Sequence, residues 1–286
     1  MDSQFERIQI DTGQFRFDAI AAGPEDGPLV FLLHGFPQSN FEWRHKLPVL
    51  GGMGYRTVAP NQRGYSPGAR PKETEAYRVS HLVGDVMAMA DVLGRQTFHV
   101  IGHDWGAIVA WVAGIMHSDR VESIVPISVP HPAALAQALA NPDGPQAEMS
   151  GYTRIWASEG SEDIFLADDA ARLRKVFVGS GNTAEEIEEY VRHLSRPGAL
   201  TGALNWYRAT ALGDAGPSMP SVTVPTMYIW STDDIALGRE AAELTANFVD
   251  GSYRFEILEG ISHWVPEQAA EQLNQLLREH FVSLRS

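Results

Sequence analysis

Gly102-His103-Asp104-Trp105-Gly106 lies between two apolar runs of different character. Before it stands Thr97-Phe98-His99-Val100-Ile101, partly β-branched. After it comes Ala107-Ile108-Val109-Ala110-Trp111-Val112-Ala113-Gly114, rich in small residues. Gly-x-nucleophile-x-Gly between a strand and a helix is the nucleophile elbow, a strained turn that holds one side chain clear of a sheet. The flanking glycines are required because neighbouring backbone comes too close for a Cβ. Asp before a helix is also a common cap. The position between two glycines, directly after a five-residue apolar strand, selects the nucleophile reading for Asp104. A carboxylate held there can attack carbon directly and become an alkyl ester, a chemistry distinct from acyl transfer by serine.

The pattern around the elbow predicts alternating strands and helices. Residues 5–10 and 14–22 read as strands joined by the turn signal Asp11-Thr12-Gly13. Leu29-Val30-Phe31-Leu32-Leu33 is continuously apolar, as expected of a central strand covered on both faces. Arg56-Thr57-Val58-Ala59 is another short strand, residues 79–93 have helical spacing, and residues 121–129 form the strand after the elbow helix. From about residue 131 to 220 the strand signals vanish, and helical pieces are separated by Pro and Gly. Within that stretch Glu185-Glu186-Ile187-Glu188-Glu189 reads as a solvated helix face after an Asn182-Thr183 start. Strand sequence resumes at Val224-Pro225-Thr226-Met227-Tyr228-Ile229-Trp230, followed by a helix (239–248), a strand (253–258) and a final helix (266–284). The expected fold class is α/β: a doubly wound, mostly parallel sheet, with core residues 1–130 and 221–286 and a helical lid insertion at 131–220. No internal repeat is present.

Composition narrows the function. The 286 residues suffice for one large domain with an insertion. A formal net charge of −14 disfavours nucleic acid and anionic membrane surfaces as partners. There is no cysteine, so thiolate catalysis, disulfides and Cys-based metal sites are excluded. Residues 1–10 carry charge and no apolar leader core, and no stretch approaches the ~18 apolar residues of a membrane span. The expectation is a cytoplasmic protein. No organic cofactor and no metal is implied, and the oligomeric state is not readable.

In open α/β sheets, ligands bind at the carboxyl ends of the strands. Four loops there carry chemistry. His34-Gly35-Phe36-Pro37 follows the buried strand; Gly35 permits a sharp turn that offers the Phe36 N–H to an oxyanion. The Trp105 N–H, just after Asp104, is the second donor. His34 reads as a structural histidine, and His103 as a packing neighbour of the nucleophile. The third loop, Ser231-Thr232-Asp233-Asp234, supplies an acid to orient a histidine. Asp234 has the favoured spacing, with Asp233 as the alternative. The fourth, Glu259-Gly260-Ile261-Ser262-His263-Trp264, places His263 where it can reach over the sheet toward Asp104. The chain order is nucleophile, acid, histidine.

Together His34-Gly35-Phe36-Pro37, Gln62-Arg63-Gly64-Tyr65-Ser66, the elbow and Gly260-Ile261-Ser262-His263-Trp264 resemble the motif set of α/β-hydrolase-fold epoxide hydrolases. Haloalkane dehalogenases share much of it. The resemblance runs from about residue 9 to 277 and is weakest in the insertion. It departs at Asn61, where the family usually has Asp. It implies a small neutral organic substrate, an epoxide, opened to a diol through an ester on Asp104 that His263-activated water hydrolyses. It also implies two lid tyrosines that donate to the epoxide oxygen. Asn205-Trp206-Tyr207-Arg208 matches the second closely, and Gly151-Tyr152-Thr153-Arg154-Ile155-Trp156 offers Tyr152 as the first. Ring opening generates an alkoxide that needs a proton, and a phenol suits that task; packing of the lid is the alternative use of these rings. A departing halide needs only N–H donors, for which Trp105 with Trp156 or Trp206 are candidates. The asparagine donor of some dehalogenases falls at Phe36, which cannot serve. Fluoroacetate dehalogenases place arginines after the nucleophile where this chain has Trp105 and Ile108, which disfavours an anionic substrate. The alternatives are thus a dehalogenase with the same triad, or a non-catalytic ligand receptor on this fold.

Overall fold

The hairpin expected around Asp11-Thr12-Gly13 forms. Glu6–Asp11 (β1) pairs antiparallel with Arg16–Ala22 (β2), Asp11 opposite Arg16. The structure is a computed structural model that describes residues 5–285. Residues 1–4 of the terminal segment, read above for a leader, lie outside the described residues. The other strands are Leu29–Leu33 (β3), Arg56–Pro60 (β4), Phe98–His103 (β5), Val121–Ile127 (β6), Thr226–Asp233 (β7) and Tyr253–Ser262 (β8). They form one eight-stranded sheet in the order β1-β2-β4-β3-β5-β6-β7-β8. Only β1 and β2 run antiparallel to their neighbours. The chain therefore has the doubly wound, mostly parallel α/β sheet expected of it.

The period-2 alternation of strands sorts their side chains onto two cores. Leu29, Phe31 and Leu33 of β3, Val100 of β5 and Tyr228 of β7 face one core. It is closed by Val83 and Val86 of Val79–Val92 and Val109 and Trp111 of Trp105–Met116. Val30 and Leu32, Ile101, Met227 and Ile229 face the other. That side is covered by Leu47 and Leu50 of Leu47–Gly52 and by Leu273, Leu277 and Phe281 near the carboxyl terminus. In chain order these helices are Leu47–Gly52 (α1), Val79–Val92 (α2) and Trp105–Met116 (α3). Six helices stand between β6 and β7: Pro132–Leu139 (α4), Pro145–Met149 (α5), Tyr152–Trp156 (α6), Ser161–Val176 (α7), Ala184–Leu194 (α8) and Ala199–Thr210 (α9). Arg239–Leu244 (α10), Val265–Gln268 (α11) and Ala270–Ser283 (α12) follow. Among the described residues no helix is long and apolar enough to cross a membrane.

Several local expectations are corrected. The loop at 259–264 is mostly strand: β8 continues to Ser262, because Gly260 at φ +69 absorbs a register shift that keeps Asp233 paired with Ser262. The final helix is two, divided at Ala269 (φ −109, ψ 34). The acidic run 185–189 is only partly a solvated face. A capping box joins Thr183 and Glu186, but Glu186 also takes both Nε and Nη2 of the buried Arg44 (3.1 and 2.7 Å), and Glu188 pairs with Arg174 of α7. Sequence shows the charge run but not the arginines that fold against it. α7 is broken as well: Ala167 is extended and Asp168, Asp169 and Ala170 are left-handed. Each costs ~1–2 kcal/mol for a residue with a Cβ.

Candidate active site

The elbow conformation is built by what surrounds Asp104. Its backbone is at φ 52, ψ −120, sparsely populated for any residue with a side chain. A Cβ on Gly106 would stand 1.9 Å from the Leu33 carbonyl oxygen, and one on Gly102 2.0 Å from that of Gly106. A Cβ on Gly35 would lie 2.2 Å from Asp104 Oδ1. Gly35 thus leaves room for the carboxylate to reach the neighbouring Phe36 N–H, which donates to Oδ1 at 2.8 Å. Trp105 is the first residue of α3, where a backbone N–H has no partner within the helix. His34 holds this loop. The Gln62 N–H donates to its Nε2 at 3.2 Å, so Nδ1 carries the hydrogen given to the Gly35 carbonyl at 3.0 Å. Asn61 accepts from the Asn40 N–H at 3.0 Å, so the loop with the unusual Asn is tied by its side-chain oxygen.

Asp104, Asp234 and His263, from three loops, come together. His263 Nδ1 lies 2.9 Å from Asp234 Oδ2, and Nε2 lies 3.5 Å from Asp104 Oδ2. The other oxygen of Asp234 accepts from the Ala236 and Leu237 N–H groups at 2.8 and 3.0 Å, which fixes the carboxylate. Asp233 closes β7, is exposed, and among the described residues takes only the Thr232 hydroxyl. His103 is fully buried beside the triad, its Nε2 2.9 Å from the His263 carbonyl oxygen.

Burial and charge work against each other here. Burial opposes a charged His263 ring, but Asp234 and then Asp104 outweigh it and hold the pKa up at about 10. Burial likewise raises the Asp104 carboxyl, and the hydrogen bond and charge of His263 overcome it, so its pKa ends below the usual carboxylate range. Near neutral pH these shifts favour an ion pair of the Asp104 carboxylate and the His263 imidazolium within the Asp104–His263–Asp234 cluster. A base whose folded pKa exceeds its unfolded ~6.5 contributes stability that is complete below ~6.5 and lost as pH rises through the folded value. The melting temperature should therefore fall more between about pH 7 and 10 in the parent than in His263→Gln. ¹⁵N NMR should find the His263 ring doubly protonated near pH ~7.5. A neutral ring there contradicts the cluster.

Asp104 and His263 open onto a cavity of about 690 Å³ whose walls include Phe36, Trp156, Phe165, Val176 and Trp264. Tyr152 from α6 and Tyr207 from α9 line it too. The Tyr207 ring packs edge-on against Trp105, Phe36 and Trp156, with centroids 5.1, 5.6 and 5.3 Å away. Burial first, and the Asp104 charge second, push both phenols above the ordinary tyrosine pKa, so both are protonated at neutral pH. Of the three indoles considered as halide donors, Trp206 is committed elsewhere: its N–H donates to the Arg63 carbonyl at 2.9 Å. A second cavity of about 340 Å³ shares Asp104, Tyr152 and Tyr207 with the first and runs past Ile108, Leu135 and Leu139. The walls contributed by α7, with Ile235 and Ala236 after β7, were not legible in sequence, since no periodic signal says which side of a helix will face a ligand. Among the described residues no cluster of three or more His, Asp or Glu is arranged to hold a metal.

The chain as a whole is similar to known proteins. The family model described as alpha/beta hydrolase fold matches residues 28–270. Epoxide hydrolase A of Mycobacterium tuberculosis (strain ATCC 25618 / H37Rv) is 30% identical, with 99% of each chain covered. Epoxide hydrolase 4 of Mus musculus is 30% identical over 94% of this chain and 77% of its own length. Among solved structures, the crystal structure of Epoxide Hydrolase A from Mycobacterium thermoresistibile superimposes with a TM-score of 0.85 at 30% identity, covering 96% of this chain and 98% of that one. On this sequence, fold and likeness to those relatives, the chain belongs to the epoxide hydrolase family of the α/β-hydrolase fold.

Proposed function

We propose that this protein opens an epoxide to a vicinal diol in two covalent steps, with 131–220 acting as a lid over the site. The observation that carries the reading is the meeting of Asp104, His263, Tyr152 and Tyr207 on one largely apolar cavity. The Phe36 N–H holds Asp104 Oδ1 in the position of a future ester carbonyl, which leaves Oδ2 to attack. As the Oδ2–carbon bond forms, the epoxide C–O bond breaks and its electron pair goes to the ring oxygen, which takes a proton from Tyr152 or Tyr207. A phenol with a raised pKa keeps its proton until this strongly basic alkoxide appears.

Alkylation then changes the base. An ester carries no charge, so the Asp104 contribution that stabilised the imidazolium disappears while the burial penalty remains. In the alkyl-enzyme the ring gives up its proton readily, to the phenolate that ring opening left behind, and neutral His263 then takes one from water as hydroxide adds to the ester carbonyl carbon. The Phe36 and Trp105 N–H groups bear the oxyanion. Collapse of the tetrahedral adduct breaks the Cγ–Oδ2 bond of Asp104; Oδ2 stays on the substrate carbon, takes the proton that His263 drew from water, and leaves as the new hydroxyl of the diol.

The two cavities meeting at Asp104 and the phenols support an epoxide substituted on both ring carbons, one substituent in each arm. Purified protein assayed for diol and for halide release, on monosubstituted and 1,2-disubstituted epoxides and matched haloalkanes, tests the whole reading. Diol without halide is expected. Halide release without diol would turn the reading into dehalogenation, and neither product would favour a receptor. Ile108→Trp fills the smaller arm. It should lower kcat/KM for disubstituted epoxides by ~10-fold or more, as a misplaced substrate does, and leave monosubstituted ones within ~3-fold. Equal losses on both would show that the second arm does not hold substrate.

A further inference from the structure

Behind His263, on the side away from the cavity, lies an acid–histidine pair that the two-step reaction does not use. Glu42, in the short helix Asn40–His45, is fully buried, and neither of its carboxyl oxygens has a hydrogen-bond partner. Its Oε2 is 3.5 Å from Nδ1 of His103, a nitrogen equally buried and equally without a partner. The nearby cations are engaged elsewhere: the Lys46 ammonium donates to the Pro266 carbonyl, and Arg44 to Glu186 and the Phe41 carbonyl.

The far side of the imidazole fixes its tautomer. His103 Nε2 is 2.9 Å from the His263 carbonyl oxygen, which only accepts, so Nε2 carries the hydrogen. Burial holds the His103 pKa down at about 3, so the ring is neutral and Nδ1 is a bare lone pair. An ionised Glu42 would face that lone pair with two further acceptors, and Glu267 Oε2 beside them is also without a donor. A single proton on Glu42 resolves the conflict, removing an uncompensated buried charge and supplying the donor that Nδ1 lacks. Burial first, and then the charges of Glu267 and Asp104, push the Glu42 carboxyl well above its usual range against the weaker pull of Lys46 and Arg44.

We propose that protonated Glu42 donates to His103 Nδ1 and, through the Nε2–H bond to the His263 carbonyl, positions the loop that carries the catalytic base. This rests on the reading of His263 as the base of the second step. Glu42 and His103 touch neither substrate nor the reacting atoms; they are positioning residues. The second step depends on them more than the first, because His263 must keep its bond to Asp234 while meeting a water at the ester.

Two measurements on the full-length enzyme decide this. The infrared difference spectrum of parent minus Glu42→Gln near pH ~7.5 should contain the C=O band of a protonated carboxylic acid. A difference containing carboxylate bands alone overturns the proposal, and this measurement needs no substrate. In rapid-quench kinetics with styrene oxide, or the panel epoxide the parent turns over fastest, Glu42→Gln keeps an N–H donor and should hydrolyse the ester within ~3-fold of the parent. Glu42→Met keeps the volume without a donor and should slow that step by ~10-fold, with alkylation changed less than ~3-fold. Equal losses in both half-reactions, or Gln as damaging as Met, overturn the proposal. A parent that forms no Asp104 ester sinks the base assignment itself. An ester that forms and hydrolyses equally fast in the parent and Glu42→Met sinks the positioning role alone.

Discussion

His263→Gln is expected to stop turnover while leaving the enzyme alkylated. The first step asks only for an ionised Asp104 and a proton donor for the epoxide oxygen, and neither is His263. The second step needs a base, and removal of a general base costs ~10²–10⁴-fold. Ester should therefore accumulate and appear by intact mass as the parent mass plus one epoxide, located on Asp104 by peptide mapping. The substitution has a second consequence. His263 holds the buried Asp104 carboxyl ionised, so without it burial raises that pKa, and adduct formation should slow as pH falls and recover as it rises. A folded variant that binds substrate and forms no adduct at any pH would remove His263 from the second step.

Replacing both phenols should disable the first step instead. Phe retains the ring and its packing against Phe36, Trp105 and Trp156 and loses only the O–H. Tyr207→Phe alone should slow alkylation, because Tyr152 lines the same cavity and still offers a proton. With Tyr152→Phe added, the alkoxide has no positioned donor and alkylation should fall by ~10²–10⁴-fold. Rapid-quench measurement of the ester burst reads this directly. In a dehalogenase the same double change would spare halide release, while Trp105→Phe would damage it. Robust diol formation by the double variant would refute the proton-donor roles.

What was legible in sequence is what local backbone chemistry determines. Leu29–Leu33 and the run before Asp104 announce buried strands by unbroken apolarity, and both lie at the sheet centre. Asp234 is separable from Asp233 by spacing because Asp233 ends β7 whereas Asp234 begins the turn that aims it at His263. Glu42 escaped notice since nothing local distinguishes it from a surface glutamate. Its burial against His103 is created by residues 61 positions apart in sequence (103 − 42). Glu186 escaped for the same reason, its partner Arg44 being 142 residues away. The walls from α7 depend on a left-handed break at 168–170 that no glycine marks.

In the proposed two-step reaction the oxygen added to the substrate comes from Asp104 rather than from water. A single turnover in ¹⁸O-water, with enzyme in excess over epoxide, tests it most directly. The expected diol carries a new oxygen that is almost wholly ¹⁶O, with ¹⁸O retained in the peptide containing Asp104 after the ester is hydrolysed. A diol carrying ¹⁸O from that first turnover, with unlabelled Asp104, would mean that water attacks the epoxide directly and that Asp104 is not the nucleophile.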